Sequence, residues 1–329
     1  MKKMILTVLA AASLVACNNE ENIHMPSPQA IAFDNAFVYK TRAAADPSIT
    51  TNGDNSTTPI TAFKAWAFMD SPEAMVLADE LVEKEGNLWT YKNVQYWMPG
   101  HIYYFGAVAP VEGAAWTLDT KDANTFGVGT LSFTNEKGDQ DLLYAATSVS
   151  TKDIDKGYDM PAVKLFFSHL LSKVKFTFTN GFQTDNITMK VSNIQMTAPK
   201  SGTINVAVEN WWDNDGDWAL GQDNVQLAFG NVETLGHGAT AECADARLTI
   251  PTHKDHTYAI SFDVEVFVSG KSAYKVTKTT TLTGVAIEMG KSYNFTAAIT
   301  PNNLELDKIE FEVVVKDWVV EAGDVPVLQ

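Results

Sequence analysis

The stretch Lys173-Val174-Lys175-Phe176-Thr177-Phe178-Thr179 alternates polar and apolar side chains over seven positions. A period of two is typical of a β-strand with one face in the core and the other in water. The same alternation recurs at residues 258–266 and 309–313. Shorter strands are predicted at residues 63–69, 102–109, 131–133, 225–229, 274–282 and 293–299.

Turn-forming dipeptides separate these strands, among them Pro99-Gly100, Asn180-Gly181 and Ser269-Gly270. Many short strands joined by such turns indicate an all-β fold built from β-sandwiches. A helix competes at residues 73–85, because Ala, Leu, Met and Glu dominate there. The alternative for this stretch is a hairpin flank that leads into Leu88-Trp89-Thr90-Tyr91.

The chain has 329 residues, of which 45% are apolar, and this length and composition suggest about two domains with their own cores. The polar stretch at residues 148–161 ends in Met160-Pro161 and predicts a boundary. We therefore expect an N-terminal domain at residues 25–160 and a C-terminal domain at residues 161–329.

The N-terminus has the pattern of an export signal. Lys2 and Lys3 precede an uncharged run over residues 4–16, which is too short to span a bilayer comfortably. The small residue Ala16 before Cys17, with Leu14 upstream, resembles the lipobox of bacterial lipoproteins. Residues 1–16 are thus predicted to be a lipoprotein signal peptide and residues 17–24 an acylated linker, the alternative being an ordinary signal peptide with a chance cysteine.

The charge of the chain argues against a nucleic-acid-binding protein, and its cysteine content argues against a fold stabilised by several disulfides. The 40 acidic residues outnumber the 24 basic residues, which gives a formal charge of −16, whereas nucleic-acid binding needs a basic surface. The chain has only two cysteines. If Cys17 carries lipid, no intramolecular disulfide can form, and Cys243 is expected to be a small buried residue.

The candidate chemical sites have plainer interpretations. Asp213-Asn214-Asp215-Gly216-Asp217 suggests a Ca²⁺ loop, but its order is not that of an EF-hand, and a hairpin turn is favoured. His253 and His256 are expected in a solvated turn, and His169 in the core. No nucleophile elbow, phosphate loop or zinc spacing is present. We therefore expect neither enzymatic activity nor a metal or cofactor.

The eight tryptophans leave a binding function open. Trp211 and Trp212 are adjacent, so in a strand one of them would face outward and could stack on a sugar ring. Such a site would make the protein a cell-surface carbohydrate-binding lipoprotein, which is the alternative function. Core positions are favoured for most of the other tryptophans, namely Trp66, Trp89, Trp97, Trp116 and Trp318.

Arginine is rare in this chain and occurs only at Arg42 and Arg247. Arg42 follows an apolar stretch at residues 30–39, which is predicted to be a strand, and precedes a run of small and polar residues. Such a segment is accessible to proteases. A cut between Arg42 and Ala43 would detach both the lipid anchor and the first strand.

Several motifs together resemble the fimbrillin family, which comprises pilins of anaerobic oral and gut Gram-negative bacteria. They occur in the expected order over nearly the whole chain. They are the lipobox at Cys17, Thr41-Arg42-Ala43, the aromatic blocks at residues 87–91, 96–100 and 103–105, Asp141-Leu142-Leu143-Tyr144-Ala145, the run at residues 165–174, and Val315-Lys316-Asp317-Trp318.

The resemblance implies two transthyretin-like Greek-key β-sandwich domains and export as an outer-membrane lipoprotein. It also implies that an arginine-specific protease cuts after Arg42. Loss of the first strand then opens a groove, which a C-terminal strand of another copy or a related pilin fills. The mature protein would be a structural or adhesive pilin of an extracellular fimbrium, with a host or bacterial surface ligand as a further partner.

Two C-terminal stretches are candidates for the donor strand, and the sequence leaves the choice open. The alternative is that both complete the second sandwich of their own chain. The candidate residues are Ile309, Phe311, Val313 and Val315 in the first stretch and Val325, Val327 and Leu328 in the second.

Overall fold

A computed structural model describes residues 28–38, 46–47, 49–51, 57–70, 73–111, 115–120, 129–152, 160–206, 217–305 and 308–318. The described chain is nearly all β, and its one helix is α1 (Pro301–Glu305). The expected all-β sandwich fold is thereby confirmed. Within these ranges no helix is both long enough and apolar enough to cross a membrane.

The strands up to residue 169 are β1 (Phe33–Val38), β2 (Asp46–Pro47), β3 (Ile49–Thr51), β4 (Thr57–Pro59), β5 (Ala62–Asp70), β6 (Glu73–Glu85), β7 (Leu88–Tyr91), β8 (Ile102–Ala109), β9 (Trp116–Thr120), β10 (Gly129–Thr134), β11 (Leu143–Ser150) and β12 (Val163–His169). Strands β3 and β4 pair only with each other.

The strands after residue 171 are β13 (Ser172–Asn180), β14 (Ile187–Pro199), β15 (Ser201–Val206), β16 (Ala219–Leu220), β17 (Asn224–Ala228), β18 (Val232–Leu235), β19 (Thr240–Glu242), β20 (Arg247–Thr249), β21 (Tyr258–Val268), β22 (Lys271–Leu282), β23 (Lys291–Ile299) and β24 (Glu312–Asp317).

The largest sheet has the strand order β2-β1-β12-β11-β8-β5-β6-β7, and both of its faces are buried. Strand β5 shows this directly, because Phe63 lies in the cluster on one face and Trp66 in the cluster on the other. Ala30, just before β1, bridges to Tyr96, just after β7. The residues just before β1 therefore pair with residues just after β7, although β1 and β7 lie near opposite ends of the strand order.

A four-stranded sheet, β16-β15-β10-β9, contributes to the second of these clusters. Leu131 and Phe133 of β10 and Ile204 of β15 lie there together with Trp66 and Tyr144 of the large sheet. Burial of these apolar side chains is the main source of stability between the two sheets.

A separate sandwich is formed by the sheets β19-β13-β23-β24, with β20 on β13, and β17-β14-β21-β22, with β18 on β14. Phe176 and Phe178 of β13 and Phe262 of β21 lie in its core. The alternation at residues 173–179 thus predicts the buried face of β13 correctly. Ser269-Gly270 also forms the predicted turn, between β21 and β22, with both residues at positive φ.

The helix considered for residues 73–85 is wrong, because these residues form β6. Strand β6 pairs with β5 on one side and β7 on the other. Backbone pairing on both edges outweighs the weak helical preference of Ala, Leu and Glu. Asp79 of β6, where φ is +51°, lies next to a shift in the pairing with β5.

The sheets do not divide between residues 160 and 161. Strand β12 lies beyond that point but pairs with β1 and β11, and β15 pairs with β10. The polar stretch before β12 connects two strands of one sheet, a pairing that local composition cannot reveal. The last strand also differs from the alternating pattern, since β24 begins at Glu312 and Ile309 and Phe311 precede it.

Candidate functional site

The first strand, by which we mean β1 and the extended residues 29–32 before it, is held along one edge by β12. The two strands are parallel, with Phe33 opposite Val163. The Val163 amide donates to the Ala32 carbonyl at 2.7 Å, and the Met160 amide donates to the Gln29 side-chain oxygen at 2.6 Å. Residues 29–33 are therefore bound through their backbone and through one side chain.

The opposite edge is held by residues 95–97, which follow β7. The Ile31 amide donates to the Gln95 carbonyl at 2.8 Å, and the Trp97 amide donates to the Gln29 carbonyl at 2.9 Å. The Tyr91 hydroxyl donates to the Ile31 carbonyl at 2.7 Å. Burial raises the pKa of Tyr91, so this hydroxyl remains a donor at neutral pH.

Side chains of the same segment point into an aromatic cluster. Ile31 and Phe33 are only 1% and 6% exposed. The centroid of the Phe33 ring lies 5.5 Å from that of Phe63, 5.8 Å from Tyr91 and 6.1 Å from Phe105, all at edge-to-face angles. We call the cleft between β12 and residues 95–97, with this aromatic floor, the first-strand groove.

One buried carboxylate shapes the wall of the groove. Glu80 accepts hydrogen bonds from the Lys92 amide at 3.1 Å, the Asn93 amide at 3.0 Å and the Asn93 side-chain amide at 2.8 Å. Burial alone would raise the pKa of Glu80, but these hydrogen bonds outweigh it and leave the pKa lowered. The ionised carboxylate thus holds the turn that leads into residues 95–97.

The predicted modification sites and the distal tail lie outside the described residues. This applies to Cys17, Arg42 and Ala43 and to the donor candidates Val325, Val327 and Leu328. The described part of the chain does place the first strand, which ends at Val38, upstream of the predicted cut.

The nearer donor candidates lie in the fold of their own chain. Ile309 is buried, and the Phe311 ring lies 5.5 Å from Phe176 and 5.9 Å from Phe178. Val313 packs against the same core. This arrangement matches the alternative to strand donation, in which the stretch completes the second sandwich of its own chain.

Strand β24 forms the edge of its sheet and pairs only with β23 there. Val315 is 49% exposed and Val314 is 45% exposed. The following residue, Trp318, is buried again, and its amide donates to the Gly290 carbonyl at 2.9 Å. The described chain therefore ends at a firmly packed residue.

His169 lies in the core, as predicted. Its Nδ1 is 2.8 Å from an Asp141 carboxylate oxygen, and both side chains are buried. The other Asp141 oxygen accepts the Leu142 amide at 2.8 Å, and the His169 ring stacks on Trp318. Residues of three separate sequence motifs, at 141–145, 165–174 and 315–318, therefore meet in one buried cluster within the chain.

His253 and Cys243 lie as predicted, whereas His256, also expected to be solvated, is half-buried with its ring centroid 4.6 Å from that of Tyr258. His253 and His256 lie around a turn, and His253 Nε2 is 3.3 Å from an exposed carboxylate oxygen of Asp217. Cys243 is buried, and burial raises the pKa of its thiol to about 11. Among the described residues, no three His, Cys, Asp or Glu side chains could together hold a metal.

Most of the tryptophans predicted to lie in the core do so. Trp66, Trp89, Trp97 and Trp318 are buried, whereas Trp116 is half-buried and donates to the Pro110 carbonyl at 2.7 Å. Trp211 and Trp212, the pair considered for sugar stacking, lie outside the described residues, as do residues 213–216 of the acidic loop.

Sequence reasoning did not single out Glu80 and Gln95, and it marked Tyr91 only as part of an aromatic block. Each acts through a hydrogen bond to a residue distant in sequence or to a backbone atom. The alternation over residues 94–98, with Gln95 and Trp97 turned inward and Val94, Tyr96 and Met98 exposed, is the local signal that marks an extended segment there.

Comparisons with known proteins identify the family of this chain and similar folds. A family model described as fimbrillin-like matches residues 41–318. The structure is similar to that of a fimbrial protein from Bacteroides vulgatus, with a TM-score of 0.60 and 16% identity, covering 88% of this chain and 100% of that one.

A further similar structure is that of the fimbrial anchor protein Mfa2 from Porphyromonas gingivalis, with a TM-score of 0.44 and 12% identity, covering 89% of this chain and 99% of that one. A comparison with curated protein sequences gives no significant match.

Proposed function

Because the chain belongs to the fimbrillin-like family, we propose that it is a fimbrial subunit that polymerises by exchanging its first strand for a strand of another subunit. It is exported as a lipoprotein through Cys17 and is cleaved between Arg42 and Ala43. The lipid tethers the precursor to the outer membrane, and an arginine-specific protease releases it. The role is structural or adhesive rather than enzymatic.

The observation that carries this proposal is the first-strand groove. Residues 29–33 lie between two backbone edges and bury Ile31 and Phe33 against aromatic rings. An extended strand of another subunit with suitably spaced apolar side chains could satisfy the same groups. Cleavage after Arg42 would cut the covalent link between the first strand and the body of the protein.

The energetics fit a strand that stays in place until it is exchanged. Burial of Ile31 and Phe33 contributes about 1.5–3 kcal/mol each. Without a strand in the groove, the Gln95 carbonyl and the Trp97 and Val163 amides would lose their partners. An unpaired polar group costs about 1–3 kcal/mol when it is buried, so an empty groove would be unfavourable and an incoming strand would be stabilised.

The tail after Trp318 is the favoured donor. Donation of residues 309–315 would remove Ile309 and Phe311 from the core of their own chain, whereas donation of residues 319–329 would not. Eleven extended residues at about 3.3 Å each reach roughly 35 Å, and this tail contains Val325, Val327 and Leu328.

The maturation step is tested by N-terminal sequencing of protein extracted from the cell surface. We expect filaments whose subunits begin at Ala43, and an Arg42→Ala variant that remains a lipidated, unpolymerised precursor beginning at acylated Cys17. Arg42→Lys should behave like Arg42→Ala, because the protease is arginine-specific. Lys40→Ala is the matched control and should be processed normally. Normal filaments from Arg42→Ala would refute maturation at this site.

A further inference from the structure

The outer face of the sheet β17-β14-β21-β22 carries a trough of neutral polar side chains. It has a volume of about 450 Å³, within the range of roughly 300–1,000 Å³ that is usual for small-molecule sites. Among the residues that the structure describes, Lys308 is the one charged residue that lines it. The opposite face of these strands, with Met196 and Ile260, packs into the core of the second sandwich.

The strand register arranges the trough in two rows across the sheet. One row pairs Gln226 with Thr197 and Ala259 with Thr281, and the other pairs Gln195 with Ser261 and Ser261 with Thr279. Small Ala259 lies among these longer side chains and leaves room above the sheet.

A β-bulge borders the trough. The pairing of β14 with β21 shifts between Ser192 and Gln195, and Asn193 adopts a φ of +52°. Bulges bend a strand and redirect its side chains, and they are common next to binding sites. Gln195, the first residue after this bulge, belongs to the trough.

Most of the polar side chains that line the trough are not used by the described fold, although the Thr280 hydroxyl donates to the Ile309 carbonyl at 3.2 Å. Six side chains make no hydrogen bond to any other described residue, namely Gln195, Thr197, Gln226, Ser261, Thr279 and Thr281. The adjoining half of the same sheet differs, because Asp263 accepts hydrogen bonds from Asn193 at 2.7 Å and Thr277 at 2.6 Å. Asp263 thus has partners within the sheet, whereas the six neutral side chains of the trough have none among the described residues.

We propose that this trough binds a neutral oligosaccharide. Hydroxyl and amide side chains both donate and accept hydrogen bonds, which matches the hydroxyl groups of a sugar. An anionic ligand would meet one lysine on a chain of charge −16. Among the described lining residues the one large apolar residue is Ile260, whose side chain packs into the core on the opposite face, so the described lining offers no apolar pocket for the anchors of a peptide.

Binding in this trough would not require strand exchange. Hydrogen bonds to an open face give weak binding at a single site, because water competes for the same groups. Repetition of the site would strengthen attachment through avidity. That last step rests on the proposed fimbrial function, but binding by one subunit does not.

The test uses the full chain, biotinylated and assembled on streptavidin, on an array of neutral, sialylated and sulphated oligosaccharides. We expect binding to at least one neutral oligosaccharide. Binding should fall at least tenfold in the Thr279→Arg variant, because the arginine side chain fills the trough. Ser272→Arg is the matched control on the same strand, where Ser272 donates to Glu265 at 2.6 Å, and should bind normally.

Thermal unfolding of each variant separates loss of binding from loss of the fold. If Thr279→Arg is unfolded, Gln226→Arg on β17 and the milder double variant Gln195→Ala/Ser261→Ala take its place. The proposal is wrong if no neutral oligosaccharide binds, if only acidic ones bind, or if folded trough variants bind normally. It is equally wrong if Ser272→Arg abolishes binding, or if Trp211→Ala does so while the trough variants do not.

Discussion

The indole ring of Trp318 stacks on the imidazole ring of His169, with 3.8 Å between their centroids and 12° between their planes. Trp318 follows β24 of the second sandwich, whereas His169 ends β12 of the eight-stranded sheet. The contact therefore joins the two parts of the fold at the root of the C-terminal tail. It holds the point from which residues 319–329 depart.

Replacement of Trp318 by Ala should destabilise the protein by about 3–5 kcal/mol, because a fully packed indole leaves a cavity. Urea denaturation of the full chain measures this loss. Trp116→Ala is the matched control, since Trp116 is only half-buried, and it should cost clearly less. Equal losses in the two variants would contradict a special role for the contact between His169 and Trp318.

Glu80→Gln should destabilise the protein by about 1–3 kcal/mol at pH 7, because one carboxylate acceptor becomes an amide donor facing N–H groups. The folded-state pKa of Glu80 lies below the ordinary value of 4.5. Its stabilising contribution is therefore fully present above about pH 4.5 and is lost as the pH falls through the lowered folded value.

Urea denaturation between pH 3 and pH 7 tests this dependence. The difference between the wild type and Glu80→Gln should shrink as the solution becomes more acidic. Exposed Glu83 on the same strand supplies the control, Glu83→Gln, for which a small and nearly constant effect is expected. A difference for Glu80→Gln that stays the same at all pH values would argue against the hydrogen-bonded carboxylate.

Gly106→Ala should cost about 1–3 kcal/mol through overpacking. A Cβ at this position would lie 2.4–2.8 Å from three ring atoms of Trp66, which is fully buried. Gly236→Ala is the control, because nothing lies within 4 Å of its Cβ position. Thermal unfolding measures both, and a Gly106→Ala variant as stable as the wild type would show that Trp66 moves aside freely.

Deletion of residues 319–329 should stop polymerisation and leave the unfolding temperature nearly unchanged. Trp318 and its hydrogen bond to Gly290 remain in this variant. Deletion of residues 311–329 should instead destabilise the fold, because it removes Phe311, β24 and Trp318. Electron microscopy of filaments and thermal unfolding give the two readouts, and normal filaments from the shorter deletion would exclude the tail as donor.

Local sequence patterns predicted the strands well and their partners poorly. The alternation at residues 173–179 identifies the buried face of β13 because side chains alternate between the two faces of any strand. No such rule tells residues 73–85 which strands they will meet. The competing helix was excluded only by pairing with β5 and β7.

The sequence likewise predicted one part of the candidate site and not another. The apolar composition of residues 30–39 predicts a strand before Arg42, and the structure has β1 at Phe33–Val38. Its neighbours could not be predicted, because Gln95 and Val163 lie far from it in the sequence and bind it through backbone atoms. Backbone donors and acceptors are the same in every residue, so side-chain identity does not mark them.

The sequence by itself determined the all-β class, the burial of His169 and Cys243, and the fimbrillin resemblance, because these follow from periodicity, polarity and motif order. The tertiary structure alone decided that β12 belongs with β1, that Ile309 and Phe311 lie in their own core, and that a neutral trough crosses four strands. Such features depend on which distant strands pair and in what register, and many registers satisfy the same local pattern.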